Sequence, residues 1–242
     1  MSKKNRINDR AARAAAALEE QQRDERRRRT MMIGGVVAVI LVIVAGGYFL
    51  SRALDTTTDV DAPAAGSEFG MTVGPADADH EVIVYEDFHC VHCADFEERT
   101  SDDLTQLAEE GVVRVEYRPV SFLSDYSARA ANAFKVVLDE SGADVGKTYH
   151  DLLFEAYDEA SGSESGLDDD RLVELAVEAG AEEAAVRPGI EGMDQQEWAD
   201  AAAQAAQDAG VQGTPTIVLD GEVFQDGTTT ADIADNLLDQ LQ

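Results

Sequence analysis

The sequence predicts an α/β domain with an all-helical insertion, preceded by one membrane-spanning helix. Three observations carry that prediction. Strand-like runs at 81–85 and 112–117 flank a helical pattern at 91–109, and strand chemistry returns only at 216–224. Between these, about ninety residues show helical periodicity and no convincing strand. Ahead of all of them, Met31 to Leu50 is a run without a single charge. A strand, a helix and a strand in succession form a right-handed βαβ unit, which places its two strands parallel.

Taken from the start, residues 1–30 hold ten Lys/Arg against five Asp/Glu and read as a cytoplasmic segment. Residues 31–50 follow as the membrane helix. Twenty residues at 1.5 Å rise span about 30 Å, the thickness of a bilayer's hydrocarbon core. Arg26 to Arg29 abut its start, so by the positive-inside rule the N-terminus stays in the cytoplasm and the rest is exported. A cleaved leader fits less well: the apolar run is long for one, and Ser51-Arg52-Ala53 is a poor cleavage site. Residues 51–67, rich in Asp, Thr and Ala, read as a tether.

The folded domain is expected over 68–242, with a short strand at 68–73 before the turn residues Gly74-Pro75. Val82-Ile83-Val84-Tyr85 is apolar in succession, as a strand buried on both faces would be. The helix at 91–109 turns Phe96, Leu104, Leu107 and Ala108 inward and stops at Gly111. In the insertion, about 125–210, four helical stripes stand out. They are Ala130/Ala133/Phe134/Val137, Tyr149/Leu152/Leu153/Ala156, Leu172/Leu175/Ala176/Ala179 and Trp198/Ala201/Ala202/Ala205/Ala209. Thr216 to Leu219, the turn Asp220-Gly221 and Glu222 to Phe224 make a hairpin. A last helix carries Ile233, Leu237 and Leu241 on one face.

The net charge of −30 is divided unevenly: the exported part alone holds 44 Asp/Glu against nine Lys/Arg. Such a surface repels nucleic acid and anionic membrane surfaces, both of which select Lys and Arg. The chemistry is expected at the chain's two cysteines, Cys90 and Cys93, in Cys90-Val91-His92-Cys93. A C-x-x-C at a strand–helix junction puts the first sulfur against unpaired backbone N–H groups and the positive end of the helix dipole, which favours thiolate. His92, on the same turn, is expected to tune that thiolate by a donor or a positive charge. Five nearby carboxylates, among them Glu86, Asp87 and Glu97, oppose it.

With Gly213-Thr214-Pro215-Thr216 ahead of the late strand, these residues resemble the DsbA family of exported thiol-disulfide oxidoreductases. The closest likeness is to the membrane-anchored Gram-positive type. The resemblance implies a thioredoxin-like fold, an attacking Cys90, a resolving Cys93, and a cis Pro215 whose neighbour Thr214 binds a substrate strand. It also implies exported cysteine-containing proteins as partners and a quinone-linked membrane oxidase for recycling. No metal is expected, and no cofactor beyond the Cys90–Cys93 disulfide. Val91 stands where the family often has proline, and Val84 where it tends to carry a buried acid. Glu86 shares the strand face of Val84 by period-2 alternation, and either it or a water is the expected proton relay to and from Cys93. His89 reads as a rim residue, and His80 and His150 as surface or core residues with no visible partner.

Alternative readings are a reductase or isomerase, which Thr214 keeps open, and a metal-binding protein using Cys90 and Cys93 with His89 or His92. A closed tetrahedral zinc site needs four ligands, usually from two separated pairs, and the sequence offers no second pair. A tethered interaction module without redox turnover is the third class.

Overall fold

A computed structural model of the chain describes Val60, residues 66–163 and residues 165–242. The expected cytoplasmic segment, membrane helix and most of the tether lie outside the described residues. Among the described residues, no helix is long and apolar enough to cross a membrane.

A five-stranded sheet organises the domain: β1 (Met71–Val73), β2 (His80–Glu86), β3 (Val113–Pro119), β4 (Thr216–Leu219) and β5 (Glu222–Val223). The strand order is β1-β3-β2-β4-β5. Only β2 and β3 run parallel, with Val82 beside Val115 and Val84 beside Tyr117; the other pairs are antiparallel. The parallel pair is joined by helix α1 (Val91–Glu109), as the βαβ reading requires. Strand β1 is shorter than expected, because residues 68–69 form a turn rather than extended chain.

Strand β2 is central, and Val82, Ile83, Val84 and Tyr85 are all buried. Its two faces serve different cores. Val82 and Val84 join the main core beneath the helices, while Ile83 and Tyr85 join a smaller cluster with Val120, Val211 and Val218. The hairpin from β4 to β5 turns at Asp220 and Gly221, whose φ angles of 51° and 86° are the two positive values that a type I′ turn needs.

The insertion between β3 and β4 consists of α2 (Asp125–Ser141), α3 (Ala143–Glu155), α4 (Tyr157–Ser161), α5 (Asp169–Glu178), α6 (Glu183–Gly192) and α7 (Gln196–Asp208). Helix α8 (Thr230–Leu241) closes the fold and packs on α1. The first three expected stripes face the core, with Leu152 and Ala179 only partly buried. The fourth is rotated: Ala199, Ala202, Ala203 and Ala206 are buried, whereas Ala201 is exposed. An alanine-rich helix offers little apolar contrast around its circumference, so its sequence does not fix which face packs.

Candidate active site

Helix α1 begins at the C-terminal end of β2, with Cys90 as its N-cap. The Cys90 N–H donates to the Asp87 carbonyl at 2.9 Å, folding the chain from strand to helix in one turn. Both cysteines are free thiols, with Cys90 7% exposed and Cys93 1%. Their surroundings separate them chemically.

Cys90 is lowered to about 6, first by a hydrogen bond from the Cys93 thiol and further by the Thr214 side chain and the backbone N–H groups of Cys93 and His92. Partial burial opposes this and is outweighed. Cys93 is pushed well above the ordinary thiol value, first by burial, then by the Cys90 sulfur, with the Glu86 charge adding to it. One sulfur is therefore an anion at neutral pH, and the other keeps its proton and donates it to the first.

The peptide bond between Thr214 and Pro215 is cis, as the motif implied. This turn carries the Thr214 carbonyl to 3.3 Å from the Cys90 sulfur, across 124 residues of sequence. A cleft of about 600 Å³ lined by Ser121, Phe122, Leu123, Gln212 and Thr214 opens beside it. Leu123, on this cleft, and Val91, next to Cys90, are exposed apolar side chains.

His92 lies on the first turn of α1, where the sequence placed it, with its ring Nδ1 3.3 Å from the Thr230 hydroxyl at the start of α8. Its contact with Cys90 is through the backbone N–H. His89 is half-buried, with Nδ1 2.7 Å from the Ser124 hydroxyl and its ring edge-on to Tyr126. Among the described residues, no cluster brings the cysteines together with either histidine as a metal site.

Two further groups were not visible in the sequence. Asp87 is a fully buried carboxylate that accepts from the His89 N–H at 2.8 Å and the Ser127 hydroxyl at 2.7 Å. It also accepts from the N–H groups of Phe122 at 2.8 Å and Leu123 at 3.2 Å. It thereby ties the turn before Cys90 to the lip of the cleft and to the start of α2. Sequence proximity marked it only as a charge opposing the thiolate.

The second group surrounds Glu86. As alternation predicted, Glu86 lies on the Val82/Val84 face, and its charge reaches Cys93. Its Oε1 accepts from His150 Nε2 at 2.6 Å, and both side chains are fully buried. His150, read from the sequence as partnerless, also has Nδ1 at 3.0 Å from Asp151. With a carboxylate at each nitrogen the ring is held charged: burial works against it, and Glu86 and Asp151 overcome that. Glu97, one turn beyond Cys93, completes the group; burial, then the charge of Glu86, pushes its carboxyl up. His80, the other histidine without a visible partner, pairs with Asp220 at 2.9 Å near the surface.

The thioredoxin family model matches residues 67–240. No curated protein sequence matches the chain. Among solved structures, reduced DsbA from Mycobacterium tuberculosis is similar at 25% identity and a TM-score of 0.56, over 72% of this chain and 97% of that one. The Actinomyces oris thiol-disulfide oxidoreductase MdbA shares 22% identity with a TM-score of 0.61, over 75% of this chain and 89% of that one. Bacillus subtilis BdbD shares 19% with a TM-score of 0.62, over 76% and 98%. At those last two identities the likeness is one of fold. With its N-cap cysteine, cis-proline turn and helical insertion, the chain belongs to the thioredoxin family and is a DsbA-like protein thiol-disulfide oxidoreductase.

Proposed function

We propose that this enzyme is held outside the cytoplasmic membrane by the helix at 31–50 and oxidises cysteine pairs of exported proteins. The observation that carries the direction is the asymmetry of the two sulfurs. Cys90, at about 6, is stable as a thiolate at neutral pH, whereas an unperturbed thiol is a few per cent ionised there. A good leaving thiolate makes the disulfide form a ready electron acceptor.

In the oxidised enzyme, a substrate thiolate attacks Cys90, forming a mixed disulfide and breaking the Cys90–Cys93 bond. The electron pair goes to Cys93, whose raised pKa leads it to take up a proton. A second substrate thiolate then attacks the substrate sulfur of the mixed disulfide, and Cys90 leaves as the stabilised thiolate. The substrate has lost two electrons and gained a disulfide, and the enzyme has become the dithiol. Thr214 and Pro215 hold the substrate strand beside Cys90, in the cleft bordered by Phe122 and Leu123. A quinone-linked membrane oxidase would take the two electrons and restore the Cys90–Cys93 disulfide, which is the only redox group the cycle needs.

Equilibration with glutathione buffers tests the direction. A reduction potential near −120 mV is expected, and one near −270 mV would instead make the enzyme a reductase. Cys93→Ala should accumulate exported proteins as mixed disulfides on Cys90. Their absence from cells expressing the variant would remove the oxidase reading.

A further inference from the structure

The charged group behind the cysteines has a property that disulfide exchange does not require. Glu97 is 3% exposed, and neither of its carboxylate oxygens has a hydrogen-bond partner; Oε2 of Glu86 is likewise buried without one. Buried carboxylates are costly unless paired, protonated or bound to a cation. One donor atom from each of Glu86, Glu97 and His150 lies within 4.8 Å of the others. We propose that these three side chains form a binding site for a first-row divalent cation, with Zn²⁺ the best chemical match.

The donor set argues for that class. Two carboxylate oxygens and one imidazole nitrogen suit zinc and its neighbours, whereas calcium and magnesium take oxygen ligands in larger numbers. Three protein ligands with a fourth position free is a common zinc arrangement. Ligand atoms of a tetrahedral centre with bonds of about 2.0 Å lie roughly 3.3 Å apart. Starting from 2.6 Å between His150 and Glu86 and at most 4.8 Å across the trio, side-chain shifts of about 1 Å reach that spacing.

The surroundings of His150 are those of a metal ligand. Asp151 sits at its Nδ1, 3.0 Å away, which fixes the ring so that Nε2 points into the trio. The cation takes the place of the Nε2 proton now shared with Glu86, and that proton is released to solvent on binding. A histidine that donates its second N–H to a carboxylate is the usual second-layer support of a bound metal. Asp151 is in turn held by Lys147 Nζ at 2.6 and 2.7 Å and by the Ser101 hydroxyl at 3.0 Å. The rings of Phe88, Phe134, Phe154 and Tyr117 pack around the imidazole, so its orientation is set before any ligand arrives.

An acidic cleft borders the site. Glu97 and Asp151 line a cleft of about 510 Å³ between α1 and the end of α3 and α4, together with Asp95, Glu98, Asp102 and Glu155. Such a cleft concentrates cations by its field. The site draws Glu97 and His150, which the sequence left unassigned, into one function. It also gives Glu86 a role as ligand in place of the proton relay expected for it.

The site is independent of disulfide exchange and is tested without activity. The full-length protein in mild detergent is oxidised, so that Cys90 and Cys93 are closed to metal, then freed of metal by chelator and titrated with Zn²⁺ by calorimetry. One equivalent should bind. Glu97→Gln and His150→Gln should each bind at least tenfold more weakly while circular dichroism stays unchanged. Asp151→Asn, which removes only the outer support, should weaken binding tenfold to a hundredfold. Absence of a stoichiometric event, or equal affinity in folded Glu97→Gln and wild type, overturns the site. Because the disulfide is closed throughout, either result leaves the redox reading untouched.

Discussion

Asp87 and Glu97 are both buried carboxylates within a few residues of the cysteines, and they are placed in opposite ways. Asp87 is surrounded by four donors, three of them backbone N–H groups, that fix the turn before Cys90 and the cleft lip. Glu97 has no donor on either oxygen. A buried carboxyl group with its lone pairs filled is a structural fastening, whereas one left unfilled is a place where something else can bind. The same division separates the two sulfurs: Cys90 is ringed by donors and ionises, whereas Cys93 is buried beside the Cys90 sulfur and the Glu86 charge and does not.

The largest expected effect follows from Asp87. Asp87→Ala strands its donors in the interior and should lower stability by about 3–5 kcal/mol, read from denaturant midpoints. A loss below about 1 kcal/mol would show that the donors find other partners and would break the comparison.

The sulfurs come next. In the reduced protein, alkylation of Cys90 should follow a pH midpoint near 6 and fall about tenfold per pH unit below it, while Cys93 stays unmodified. The folded pKa of Cys90 lies below its unfolded value, so the thiolate's stabilisation is fully present above the unfolded value, near 9, and is lost as pH falls through about 6. Melting temperatures of the reduced form should therefore rise relative to the oxidised form between pH 6 and 9. A difference that is flat across that window would mean that Cys90 is not preferentially ionised in the fold.

The smallest effect belongs to Glu97. In chelator-treated protein, Glu97→Gln replaces a carboxyl group whose oxygens no donor satisfies, and which burial already holds mostly protonated at neutral pH, so it should change stability by no more than about 1 kcal/mol in either direction. A loss as large as that of Asp87→Ala would place Glu97 among the fastenings.

Much of this site was legible in the sequence because its signals are local. The C-x-x-C follows a strand and opens a helix, so its position at an N-terminus could be read directly. Period-2 alternation placed Glu86 on the correct face of β2, and the four apolar residues of that strand announced burial on both sides. Other features were not legible, each for a physical reason. Helix α7 is alanine-rich, so its buried face was set by what it packs against. His92, expected beside Cys90, also has its ring 3.3 Å from the Thr230 hydroxyl, 138 residues away, a neighbour that nothing in the local sequence marks. His150 lies 64 residues from Glu86, and nothing in either segment marks the other.

The sequence by itself determined the order of elements, the redox pair and the turn that faces it, because backbone periodicity and helix-end electrostatics act over a few residues. Which buried polar groups meet was decided only by tertiary structure. Packing α3 and α1 against β2 brought His150, Glu97 and Glu86 together and surrounded Asp87 with donors. In a low-dielectric interior, such pairings depend on separations of a few ångströms between segments far apart in the chain.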